Sequence, residues 1–174
     1  TNGHIEDDIE KVQANVHYRQ PAQLFWNGGG NQTFISATAA EAGEDLFQPI
    51  VGRGSAYADF DRDGDLDVVM TQIHGSPLLL RNDQALGNHW VRLQVIGPEG
   101  NPEAIGAWIH LRTEDGRRIS RQVMPTKSYL SQSELPINIG LGRSKISEAR
   151  IRWPDGHEAS FTAQPEQTTL LRRK

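Results

Sequence analysis

Residues 59–67 read Asp59-Phe60-Asp61-Arg62-Asp63-Gly64-Asp65-Leu66-Asp67, five carboxylates on alternate positions with a glycine sixth in line. Carboxylates held about 4 Å apart repel by roughly 1 kcal/mol per pair in water and by about 4 kcal/mol at an effective dielectric of 20. A loop that concentrates five of them needs a compensating charge, and a hard, oxygen-seeking dication is the natural one. In the D-x-D-x-D-G arrangement, positions 1, 3 and 5 supply side-chain oxygens, and glycine at 6 permits the sharp turn that points them inward. Those positions are Asp59, Asp61, Asp63 and Gly64. Asp67, ninth, is expected to close the shell by its side chain, and Asp65, seventh, to offer its backbone carbonyl. Ca2+ is the expected ion, because Mg2+ prefers octahedral sites that retain several waters.

The flanks decide the fold around the loop. An EF-hand needs a bidentate Glu at position 12 and helices on both sides; position 12 is Met70. Ser55-Ala56-Tyr57-Ala58 before the loop and Leu66-Asp67-Val68-Val69-Met70-Thr71 after it are short and turn-bounded, and the second is rich in β-branched residues. The expectation is strand, loop, strand. Two other readings compete: a metal-free acidic turn, which Asp-Gly pairs make readily, and an acid–base pair of carboxylates.

Working outward, Gln23-Leu24-Phe25-Trp26-Asn27 and Gln32-Thr33-Phe34-Ile35-Ser36 read as strands about a Gly28-Gly29-Gly30-Asn31 turn. Leu78-Leu79-Leu80-Arg81-Asn82 echoes Leu24-Phe25-Trp26-Asn27, the mark of a repeated sheet unit. Ile5, Ile9, Val12 and Val16 fall at helical spacing, so a short amphipathic helix is expected over residues 5–16. After Asn88, His89–Ile96, Ala107–Arg112 and Arg118–Val123 alternate apolar with polar residues as half-buried antiparallel strands do. Further strands are expected at 137–141, 149–153 and 168–171, with tight turns at Glu114-Asp115-Gly116-Arg117 and Pro154-Asp155-Gly156-His157. The fold class is all-β: an antiparallel propeller-type blade or small sheet followed by a β-sandwich.

A chain of 174 residues, 36% hydrophobic and 23% charged, has room for a core. No stretch approaches the roughly 20 apolar residues of a membrane span, and no apolar signal segment opens the sequence. Its start, Thr1-Asn2-Gly3-His4, reads as that of a fragment or processed product. The absence of cysteine excludes disulfides, thiolate metal sites and a cysteine nucleophile. Residues 1–87 carry 5 basic and 13 acidic side chains and residues 88–174 carry 13 and 9. The asymmetry places a domain boundary between 87 and 88. The basic residues are spread over several strands, with no polybasic run except Arg172-Arg173-Lys174, so nucleic acid is not an expected partner.

Other candidate groups carry weaker chemistry. Ser131-Gln132-Ser133 lacks a G-x-S-x-G elbow, and its hydroxyls are expected to satisfy backbone groups. Histidines 4, 17, 74, 89, 110 and 157 have neither H-x-H nor H-E-x-x-H spacing. Trp108, Trp153 and Tyr129 are either a sugar-stacking platform or, for the two tryptophans in expected strands, core.

The run GRGSAYADFDRDGDLDVVMTQ resembles the FG-GAP or VCBS-type repeats of integrin-α-like β-propellers, in which such a hairpin loop binds calcium. The segments IGAWIHL, SYLSQSELPINIGLG and IRWPDG resemble the ASPIC/UnbV domain that follows such repeats in bacterial proteins and in the cartilage acidic protein family. The chain departs from that pattern at Ser128, where the family often has Gly, and at Asn138-Ile139, where it has His-Phe. One blade is also too little for a propeller of at least four. The resemblance implies residues 1–87 as a repeat region and 88–174 as the sandwich. It implies a non-enzymatic, extracellular or periplasmic, calcium-binding adhesion or recognition module with a protein or glycan ligand, no membrane insertion, and self-association through exposed sheet edges. A carbohydrate-binding module and an enzyme-associated domain in secondary metabolism stand as alternatives.

Overall fold

The computed structural model describes residues 1–28, 33–84, 86–128 and 130–173. Strands account for 42% and helices for 7% of the chain, so it is nearly all-β, in several small sheets with no closed barrel among the described residues. In chain order, helix α1 (Ile9–Val12) precedes β1 (Phe25–Asn27) and β2 (Phe34–Ser36). Helix α2 (Ala39–Ala42) and a 3-10 turn (Glu44–Phe47) lead to β3 (Gly52–Ala58), β4 (Asp67–Gln72) and β5 (Leu78–Leu80). Then follow β6 (His89–Ile96), β7 (Trp108–Thr113), β8 (Arg118–Gln122), β9 (Thr126–Ser128), β10 (Ser131–Gln132), β11 (Ile137–Gly142), β12 (Ile146–Arg152), β13 (Glu158–Ser160) and β14 (Gln167–Arg172). Among the described residues no helix is long and apolar enough to cross a membrane.

The chain forms two compact units, each built from several stretches: Thr1–Ala56, Val68–Leu80 and Ser128–Ser131 in the first, Tyr57–Asp67, Arg81–Lys127 and Gln132–Lys174 in the second. The acidic loop and residues 81–87, which precede the expected boundary, are therefore packed with the second unit.

In the first unit β3, β4 and β5 form one sheet, with Val68 opposite Leu80 and Met70 opposite Leu78. Its small core is Ala22, Ile50 and Met70, joined by half-buried Leu46, Val68, Leu78 and Leu80. Strands β1 and β2 pair antiparallel with Trp26 opposite Ile35, and Phe25, Trp26, Phe34 and Ile35 are all exposed. Of the expected glycine turn between them, residues 29–31 lie outside the described residues. The expected helix over 5–16 contracts to the single turn of α1. Only Ile9 of its apolar stripe is buried, while Ile5 and Val12 are exposed. A helix with so little apolar surface to bury has nothing to offset the cost of nucleation.

The second unit is a β-sandwich. Its sheets have the strand orders β11-β6-β14 and β13-β12-β7-β8. Alternation puts Val91 and Leu93 of β6, Ile139 and Leu141 of β11, Ile109 and Leu111 of β7, and Ile151 of β12 into a shared core capped by Trp153. One pair is parallel, β14 beside β6, because the chain crosses from one sheet to the other after β13 instead of turning back. The 114–117 turn forms as expected. The Asp115 carboxylate accepts hydrogen bonds from the Thr113 hydroxyl, the Arg117 backbone N–H (3.3 Å) and Arg117 Nε (2.9 Å).

Leu93 is fully buried at the centre of the sandwich, so Leu93→Ala should cost about 2–5 kcal/mol in denaturant melts, by transfer and cavity terms together. The Thr113 hydroxyl, and then Arg117, hold the Asp115 carboxyl below its ordinary pKa. A lowered folded pKa gives stability that is present above the ordinary carboxylate value and lost as pH falls through the folded one. Asp115→Asn should therefore be less stable than the parent near neutrality, with the difference closing in melts taken at successively lower pH.

Candidate metal centre

The acidic loop lies within the second unit, against the outer face of the three-stranded sheet. Strand period sets this up: in β6, Val91 and Leu93 point to the core, so Trp90 and Arg92 point outward. Asn138 on β11 sits directly opposite Arg92, and Arg92 Nη1 donates to Asn138 Oδ1 at 2.9 Å. Onto this face the loop sets Asp59, whose side chain is wholly buried. Asp59 Oδ2 accepts from Arg92 Nη1 (3.1 Å) and from Asn138 Nδ2 (2.9 Å). Glu134 completes the cluster: its carboxylate takes both terminal nitrogens of Arg92, and its Oε1 accepts the Asp59 backbone N–H at 3.0 Å.

Asp59 Oδ1 is buried and has no hydrogen-bond partner. A buried carboxylate oxygen left unpaired is costly, which marks this atom as aimed at something further. Asp59, Asp61 and Asp63 each offer one ligand atom, and these atoms lie within 4.8 Å of one another; no other such group of three or more occurs among the described residues. Oxygens bound to Ca2+ at about 2.4 Å can be at most about 4.8 Å apart, so the three oxygens fit one ion. The donor set is all oxygen, suited to a hard cation rather than to zinc.

The remaining acids take different places. Asp67 is buried, and its two oxygens accept the backbone N–H groups of Phe60 and Asn82, each at 2.8 Å, tying the two ends of the loop together. The Asp65 N–H donates to Asp63 Oδ1 at 2.9 Å. Burial, followed by the charges of Asp63, Asp59, Asp67 and Asp61, pushes the Asp65 carboxyl above its ordinary pKa, the direct electrostatic sign of crowded carboxylates. Gly64 has φ +99°, and a Cβ there would stand 2.2 Å from the Trp90 indole, so the ring lies flat against the loop where only glycine fits. Met70, the EF-hand ligand position, is buried in the core of the first unit.

Arg92, Glu134 and Asn138 escaped the sequence reading as site residues. Asn138 had stood out only as a departure from the family resemblance; the structure gives that departure a contact with Asp59. Elsewhere, Ser133 Oγ accepts the Tyr57 N–H and Ser131 Oγ the Ser55 N–H, both at 3.2 Å. Trp153 is buried in the core, and Trp108 is half-buried with its ring stacked on His110. Tyr129, the third member of the supposed aromatic platform, lies outside the described residues.

Residues 97–173 match the family described as ASPIC and UnbV. Cartilage acidic protein 1 of Xenopus tropicalis is 31% identical over 158 residues, covering 87% of this chain and 24% of that protein. The Mus musculus protein of the same name is 31% identical over 121 residues (67% and 18%), and the Homo sapiens protein 31% over 114 (63% and 17%). The chain thus spans a quarter or less of the length of these relatives.

Gly64→Ala should expel Trp90 from the loop and destabilise the second unit, by about 1–3 kcal/mol from overpacking and backbone strain together. Gly116→Ala is the control, having a similar φ of +87° and open space around it. Denaturant melts and tryptophan emission of the two variants separate collision from strain: Gly64→Ala should lose more stability and shift the emission.

Proposed function

We propose that this chain, with its ASPIC and UnbV match over residues 97–173, is a calcium-binding, non-enzymatic recognition module of an extracellular or periplasmic protein that carries FG-GAP-type repeats. The observation that carries the calcium reading is Asp59 Oδ1, buried without a partner beside ligand atoms of Asp61 and Asp63. In this reading Asp59, Asp61 and Asp63 bind by side chain and Asp65 by its carbonyl. Asp67 closes the shell with the lone pairs that its two backbone hydrogen bonds leave over.

Calcium here acts structurally. It relieves repulsion among five carboxylates that Arg92 alone does not neutralise, and so couples local order to metal. Binding to the folded state alone stabilises by about 2.7 kcal/mol at a hundredfold excess over Kd. Millimolar calcium outside the cytoplasm suits loops with dissociation constants of about 10⁻⁴ to 10⁻³ M. A recognition role, with a protein or glycan ligand, is supported by the exposed apolar residues Phe25, Trp26, Phe34 and Ile35 of the two-stranded β1–β2 sheet.

Titration of calcium into chelator-stripped protein by isothermal calorimetry, with magnesium as comparison, tests the reading. One calcium should bind with micromolar to millimolar affinity, in preference to magnesium, and raise the melting temperature. Asp61→Ala and Asp63→Ala should each lower the melting temperature in calcium and change it little in EGTA. Equal destabilisation in both conditions, or no calcium bound, overturns it.

A further inference from the structure

On the sandwich sheet that does not carry the acidic loop, the outer face is laid out in cross-strand rows. Arg112 of β7 stands directly opposite Arg118 of β8 on one side and Glu148 of β12 on the other, His110 opposite both Ser120 and Arg150, and Arg152 of β12 opposite both Trp108 and Glu158 of β13. Residues directly opposite share a face and their Cβ atoms are about 5 Å apart, where like charges destabilise a sheet. All four arginines are exposed. Arg150 is paired with Glu148 at 2.5 Å, whereas Arg112, Arg118 and Arg152 have no ion pair among the described residues. A groove of about 390 Å³ runs between these side chains, with Glu148 and Glu158 also on its walls.

We propose that this groove binds a sulfated saccharide. Four arginines outnumber the two glutamates on this face, and Arg118 stands across only from another arginine, so the groove carries excess positive charge that an anion would relieve. Guanidinium forks grip a planar or tetrahedral oxyanion with two parallel hydrogen bonds. The two glutamates distinguish a saccharide from a nucleic acid. Carboxylates repel phosphates, but they accept hydrogen bonds from sugar hydroxyls, so a wall of mixed arginine and glutamate suits a ligand that carries both sulfate and hydroxyl groups. Single-stranded nucleic acid also needs free aromatic faces on which bases stack. The one tryptophan on this face, Trp108, is half-buried and already stacked on His110, with ring centroids 6.1 Å apart. The groove holds about one or two sugar rings, within the size range of small-ligand sites.

The test is calorimetry of the chain with a heparin hexasaccharide, with the same hexasaccharide after desulfation, and with a single-stranded DNA of equal charge, at an ionic strength of about 0.15 M. The sulfated sugar should bind at least tenfold more tightly than either comparison. Arg112→Ala and Arg118→Ala should each weaken it about tenfold, while Lys11→Ala, in the first unit, should leave it unchanged. Arg118→Ala should also keep or raise the melting temperature, since it removes a like-charge pair, so lost binding there does not reflect unfolding. Equal affinity for the desulfated sugar or the DNA, or unchanged affinity in a variant carrying both arginine substitutions, overturns the proposal.

Discussion

A buried carboxylate, that of Asp59, is the constraint on which the second unit turns. One of its oxygens is held by Arg92 and Asn138, and the other has no partner. Removing an ion from water costs several kcal/mol, and the loss is recovered only when its lone pairs are met by charge and hydrogen bonds. Arg92 meets part of that demand while serving Glu134 as well. One guanidinium shared by two carboxylates, with four more aspartates in the same loop, leaves the cluster negative. The protein orients the carboxylate and stops short of neutralising it, which is the condition a cation site requires.

The same strands that build the core also build the site. Val91 and Leu93 are fully buried, and Trp90 and Arg92 between and beside them face the loop; Ile137 and Ile139 are buried, with Asn138 between them facing the same way. With a side-chain period of two, a slip of one residue in β6 would bring Arg92 into the core and set Leu93 against the carboxylates. Core packing and ion pairing therefore enforce a single register. The glycine of the loop adds a steric condition, since Trp90 reaches the loop only where no Cβ intervenes.

What was legible in the sequence was local. The alternating carboxylates and Gly64 announce an oxygen-rich loop because the pattern lies within nine residues, and β6 was placed to the residue because Val91 to Val95 alternate apolar with polar inside an apolar-flanked run. Arg92, Glu134 and Asn138 lie 33, 75 and 79 residues from Asp59, and alternation alone marks them as outward-facing without saying what they face. Periodicity misled at residues 5–16, where helical spacing was present but the surface to bury it was not. The charge asymmetry between halves, which suggested a boundary between residues 87 and 88, also has a physical counterpart within the second unit. Opposite charges attract, and there the acidic loop lies on a strand carrying Arg92 from the basic half, so the asymmetry reflects complementarity between segments that pack together.

The sandwich also divides its excess charge between two faces. The outer face of one sheet carries the aspartates around Arg92, and that of the other carries four arginines against Glu148 and Glu158, with an apolar core between. Packed sheets lie about 10 Å apart, and outward side chains on both faces add to that distance, whereas the screening length at physiological salt is about 8 Å. The two faces therefore do not neutralise one another. A cation bound at the proposed loop site would leave the charge of the arginine face largely unchanged.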